Sequence, residues 1–272
     1  MGDGIEVLLT NDDGIDTGGI RAVYDGLVEV ADVTVVAPAE DQSATGRSLS
    51  HEVDVFEHEL GYAVDGTPAD CVVAALAELD PDPDLVVAGC NRGANLGEYV
   101  LGRSGTISAA VEAAFFDVPA IAASMYIPID RGPVHEADLR LEEYAEATRV
   151  TRFLAENALE AGVFEHAGYL NVNVPIADAE PAPIEITRPS KRYEMDAERE
   201  GETIHLSDRI WDSMDPEVIP DPAGTDRRAV AEGRISISPL AAPHSTNDHE
   251  SLESLVEAYA ERWESTRTER AD

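Results

Sequence analysis

With 272 residues, 43% of them apolar, the chain has the material for one large α/β domain with a smaller appended element, which excludes a disordered acidic tail protein. Against 55 Asp and Glu stand 19 basic residues, 18 of them arginine and one Lys191, giving a formal charge of -36. That field repels nucleic acid and anionic membrane surfaces, so neither is expected as a partner.

The acids are spread along the whole chain, as on a solvated surface adapted to a salt-rich cytoplasm. No run approaches the ~18 apolar residues that span a bilayer. Residues 1–7 lack a basic segment ahead of an apolar one, so a cytoplasmic protein is expected. Cys71 and Cys90 stand in apolar surroundings without Cys-x-x-Cys spacing, and both read as buried free thiols.

In chain order, the short apolar runs 5–9, 33–37, 85–89 and 120–124 read as buried parallel strands. Between them, 19–30, 68–79 and 106–116 carry helical spacing, and this alternation predicts a Rossmann-like parallel sheet with flanking helices. A long amphipathic helix is expected over 135–159 and a further strand over 169–174. Residues 175–224 are rich in proline and acids, with β-like stretches at 184–187 and 203–206, and suit a protruding hairpin arm. A strand at 234–238 and a helix at 251–264 complete the reading. The division that follows is a catalytic core over 1–174, then an arm, a returning strand and an oligomerisation helix over 175–272.

The chemistry begins at the end of the first strand, with Leu8-Leu9-Thr10-Asn11-Asp12-Asp13-Gly14. Ligands bind at the carboxyl ends of parallel strands. Adjacent carboxylates there repel unless a cation lies beside them, and oxygen ligands suit a hard ion such as Mg²⁺ or Mn²⁺. A plain Asn-Asp-Asp-Gly turn accounts for the heptapeptide equally well. Three other segments favour the site. A hydroxyl-bearing loop, 38–46, follows the second strand; a Gly- and Asn-rich loop, 91–97, follows the third. Ser104-Gly105-Thr106 then opens a helix. Ser at a helix start is ordinarily an N-cap, yet the same start offers N–H groups and hydroxyls to a phosphate, with Arg103 adjacent to add charge. A P-loop, a dinucleotide fingerprint, His-Glu-x-x-His and Gly-x-Ser-x-Gly are all missing from the sequence.

Five segments in order resemble the SurE survival-protein family over about residues 5–125: Val7 to Ile15, Val35-Val36-Ala37-Pro38 with Gln42-Ser43-Ala44-Thr45-Gly46, Asp65-Gly66-Thr67-Pro68-Ala69-Asp70-Cys71, Asn91-Arg92-Gly93-Ala94-Asn95-Leu96-Gly97, and Ser104-Gly105-Thr106. A weaker echo follows at Thr225-Asp226 and over 233–240. The resemblance implies a 5'-nucleotidase that hydrolyses nucleoside monophosphates, 3'-nucleotides and short polyphosphate being further substrates to test. It implies one divalent cation, Mg²⁺ or Mn²⁺, held by Asp12, Asp13, Ser43 and Asn91; as catalytic residues, Asp12 or Asp13 is also expected to serve as general base. It implies that Asn11, Asn95, Ser104, Gly105 and Thr106 hold the phosphate, and that the chain forms a homodimer or homotetramer through a swapped tail. Two positions depart from the family's pattern. Cys90 replaces an Ile or Val, and Gly102-Arg103 stands where a Tyr or His precedes Ser-Gly-Thr. The alternatives are a metal-dependent nucleotide-sugar transferase and a non-catalytic nucleotide or metal sensor. A phosphatase with an aspartyl nucleophile fits less well, because its two aspartates are spaced Asp-x-Asp. None of the seven histidines lies in these motifs, and none is assigned to catalysis.

Overall fold

The computed structural model describes residues 4–79, 82–132, 134, 137, 139–176 and 180–242. β1 (Ile5–Thr10) lies between β2 (Ala31–Pro38) and β5 (Leu85–Arg92) and runs parallel to both. Successive side chains on a strand point to opposite faces. Val7 and Leu9 therefore pack with Ile20 of α1 (Gly18–Leu27) and Leu154 of α5 (Ala145–Asn157). Leu8 packs on the other face with Cys71 of α2 (Pro68–Ala74) and Ile107 of α4 (Gly105–Phe115). Both faces are covered, which is why these strands read as unbroken apolar runs.

With β3 (Val55–His58), β4 (Gly61–Val64), β6 (Ala120–Met125), β7 (Tyr169–Val174), β8 (Ile184–Ile186) and β11 (Ile235–Leu240), the sheet has the order β3-β4-β2-β1-β5-β6-β7-β11-β8. It is mostly parallel; β3 against β4 and β11 against β7 are the antiparallel pairs. The Asp65–Cys71 motif serves the fold. Thr67 caps α2, Asp70 returns a bond to the Thr67 N–H at 2.8 Å, and Pro68 opens the helix. Both cysteines are buried free thiols, and burial pushes each thiol pKa up.

Two expectations need correction. Of the helix expected over 135–159, the described residues form α5, led in by a 3-10 turn at Leu141–Tyr144. The stretch at 184–187 is no part of the arm: β8 pairs with β11 at the edge of the main sheet, because Ile184 and Ile186 align with Ile235 and Ile237. The hairpin instead joins β9 (Met195–Glu200) to β10 (Thr203–Asp208), a two-stranded sheet whose Ile204 and Leu206 are 57% and 71% exposed. The helix expected over 251–264 lies outside the described residues. The described residues also include a short α3 (Glu98–Leu101) and α6 (Asp226–Ala231).

Candidate active site

Because β1 sits between β2 and β5, the loops leaving their carboxyl ends meet. Together with the start of α4 they enclose a cavity of about 510 Å³. Asp12, Asp13, Ser43, Asn91, Asn95, Arg103 and Ser104 all line it. Residues from four separate segments of the sequence thus share one wall.

Asp12 is nearly buried and anchored from α4. The Thr106 hydroxyl donates to its Oδ1 at 2.7 Å, and the Thr106 N–H donates to Oδ2 at 3.2 Å. Burial, and then the charge of Asp13, push the Asp12 pKa up to about 7, against the pull of those two bonds. Asp13 Oδ2 accepts the Arg92 N–H at 2.8 Å. Burial raises the Asp13 pKa too, opposed mainly by that N–H. Two adjacent carboxylates are thus held out of water, an arrangement that favours a bound cation.

The other donors are oriented by their own loops. Asn91 gives its amide nitrogen to the Gly93 carbonyl at 2.5 Å, which leaves the amide oxygen as the atom available to a ligand. A register shift in β5 between Ala88 and Asn91 aims this residue, with Gly89 at φ 133 beside it. A Cβ on Gly89 would come within 2.2 Å of the Ala123 carbonyl oxygen, so only glycine fits. The Ser43 N–H donates to Asp41 Oδ1 at 2.8 Å, and Asp41 also lines the cavity. The donor set, two carboxylates, one hydroxyl and one amide oxygen, suits a hard divalent cation. Among the described residues there is no cluster of three His, Cys, Asp or Glu side chains arranged as a metal site, so the amide and hydroxyl are needed to complete one.

Three of the residues expected to hold phosphate do not line the cavity. Thr106 is fully buried and spends its hydroxyl on Asp12. Asn11 is fully buried, and its amide nitrogen donates to the Gly14 carbonyl at 2.8 Å and the Thr17 hydroxyl at 3.1 Å. Gly105 packs against Asp12, where an added Cβ would stand 2.8 Å from the Asp12 Cβ. Thr106 and Gly105 thus stand against the Asp12 carboxylate, while Asn11 fixes the turn at Gly14 and Thr17. Gly105→Ala is accordingly expected to push Asp12 or the α4 start aside, lowering activity by about tenfold or more while the circular dichroism spectrum stays native.

Ser104 does line the cavity, although its Oγ also accepts the Ile107 N–H at 3.2 Å as an N-cap. Asn95 is pinned by residues that the sequence reading missed. Its carbonyl accepts from Asn171 at 2.9 Å and Asn173 at 3.1 Å, its N–H donates to Asn173 Oδ1 at 2.7 Å, and its side chain donates to Ser124 at 2.9 Å. The alternating Asn-Val-Asn of β7 was the available signal, since two amides on one face of a buried strand need polar partners. Arg103 stacks on Tyr99, its guanidinium carbon 4.0 Å from the ring centre, and donates to the Tyr99 hydroxyl. Tyr126 and Trp211 also line the cavity, and nothing in the tail's pattern marked Trp211. None of the described histidines, His51, His58, His166 and His205, lines it.

A family model described as survival protein SurE matches residues 7–196. A protein of Natronomonas pharaonis named 5'-nucleotidase SurE is 64% identical over 94% of this chain and 100% of its own length. One of the same name from Haloarcula marismortui is 62% identical over 93% of this chain and 94% of its own. The crystal structure of a SurE protein from Aquifex aeolicus superposes with a TM-score of 0.71 at 30% identity, covering 89% of this chain and 95% of that one.

Proposed function

The chain belongs to the SurE family, and from that premise we infer that it is a 5'-nucleotidase, a phosphatase that releases phosphate from nucleoside monophosphates. The observation that carries the reading is the shared cavity, in which the buried pair Asp12 and Asp13 meets Ser43, Asn91 and Ser104.

We propose that Asp12, Asp13, Ser43 and Asn91 hold one divalent cation, Mg²⁺ or Mn²⁺. Such an ion, when bound, supplies Lewis-acid polarisation of a phosphoryl oxygen. The remaining chemistry falls to the chain's own residues. Thr106 and the Arg92 N–H fix the two carboxylates so that little reorganisation is needed as charge moves. Water adds to phosphorus in line with the bond to the nucleoside, one of the two carboxylates accepts its proton, and that proton leaves on the nucleoside hydroxyl as the P–O bond breaks. The start of α4 at Ser104 and the charge of Arg103 bear on the phosphoryl oxygens.

Phosphate release from AMP with added Mn²⁺, set against a nucleotide sugar, tests this reading. Turnover of AMP alone supports it; binding without turnover would favour the sensor reading, and sugar transfer the transferase. Arg103→Ala is expected to reduce kcat/KM by an amount worth ~1–3 kcal/mol, as for one charged hydrogen bond. Unchanged kinetics would show that the stack on Tyr99 holds the guanidinium away from phosphate.

The exposed β9–β10 hairpin supports the further proposal of a homodimer or homotetramer, since exposed apolar arms bury themselves in symmetric contacts. A cytoplasmic location is likewise proposed; among the described residues no helix is long and apolar enough to cross a membrane.

A further inference from the structure

The cavity is lined by two kinds of residue. Besides the polar set around Asp12 and Asp13, its wall includes Tyr126, Ile127, Ile129, Val134 and Trp211. A phosphate group alone would leave most of the 510 Å³ unfilled and would gain nothing from an apolar wall. A nucleoside monophosphate carries what such a wall accepts, a flat base with two π faces.

Trp211 is the largest π surface on that wall, and its mount is rigid. It sits in the 3-10 turn Arg209–Ser213, next to the buried Ile210. The Ile210 carbonyl accepts from Nη2 of Arg227 at 2.7 Å. Arg227 is fully buried and pairs with the equally buried Asp221 at 2.9 Å. The indole is itself half-buried against a small apolar cluster of Leu96, Met214, Ile219 and Val230, to which Tyr126 also packs. A side chain held in this way loses little freedom when a ligand arrives, so its stacking energy goes into binding.

On the strength of the nucleotidase reading, we propose that Trp211 is the platform on which the nucleobase of the substrate stacks. Base–aromatic stacking needs no hydrogen-bond readout, so the residue governs affinity for nucleotides as a class over phosphomonoesters that lack a base.

The test compares wild type, Trp211→Ala and Trp211→Phe on AMP and on ribose 5-phosphate, with Mn²⁺ present. Trp211→Ala is expected to raise KM for AMP about tenfold and to leave kcat/KM for ribose 5-phosphate unchanged, while Trp211→Phe recovers most of the AMP affinity. Equal losses on both substrates, or no loss on AMP, would overturn the proposal. A second arm needs neither metal nor turnover: calorimetric titration of adenosine in EDTA should show binding to wild type that weakens about tenfold in Trp211→Ala. Adenosine binding equally well to both proteins, or to neither, would overturn it as well. If wild type hydrolyses neither AMP nor ribose 5-phosphate, the nucleotidase reading itself fails, and the adenosine titration still decides whether Trp211 is the platform.

Discussion

Asp12→Asn is expected to eliminate phosphate release from AMP, with kcat falling by about 10³-fold or more, the scale of losing one preorganised charge-stabilising group. Asp13→Asn should behave alike, and EDTA should silence the wild type until Mn²⁺ is restored. The substitution is close to isosteric: the amide oxygen can accept the Thr106 N–H and the amide nitrogen can donate to the Thr106 hydroxyl, so the fold should survive. It also removes a charge that burial and the neighbouring Asp13 both disfavour. In EDTA, Asp12→Asn should therefore melt no lower than wild type at neutral pH. Adding Mn²⁺ should raise the wild-type melting temperature, since a ligand of the folded state stabilises it, and should leave the variant unmoved. Full activity of Asp12→Asn with Mn²⁺ present would sink the metal site.

Equally large is the expected dependence on salt. A charge of -36 on a 29.2 kDa chain repels itself and favours expansion. At 0.01 M salt the Debye length is about 30 Å, and acids across the whole surface feel one another; at 1 M it is about 3 Å, and only near neighbours do. The exposed ion pairs, such as Arg21 with Asp25 and Arg209 with Asp196, offset little of this, because solvated pairs contribute ~0–1 kcal/mol each. Contacts between two such acidic subunits should fail first as salt is lowered. Melting temperature, activity and the particle mass seen in light scattering should all rise from dilute buffer to molar KCl. A melting temperature and turnover unchanged in salt-free buffer, with the divalent ion supplied, would refute the argument. So would a particle that stays monomeric at assay salt, for its oligomeric part.

The features legible along the chain are local or additive. The strands are legible because a strand covered on both faces is an unbroken apolar run, as Val7 to Leu9 and Leu85 to Ala88 are. Asp12 and Asp13 are legible because polar residues that end such a run must emerge at the carboxyl edge of the sheet, where ligands bind. The surface charge is a sum and needs no fold. Which side chains face the cavity and which stand behind it depends on how distant strands and loops converge. Thr106 and Asp12 lie 94 residues apart, and the bond between them exists because β1 and the start of α4 converge. That contact turns a residue expected to grip phosphate into a prop for a carboxylate. Asn95 is held by Asn171 and Asn173 for the same kind of reason, the strand order having carried β7 under a loop that leaves β5. Trp211 is set at the cavity by the buried Arg227–Asp221 pair that bonds its turn and by the apolar cluster beneath the indole. A lone tryptophan in an acidic, proline-rich tail has no periodicity to read. Its place depends on the geometry of long-range hydrogen bonds, which the pattern of apolar and polar residues along a chain does not encode.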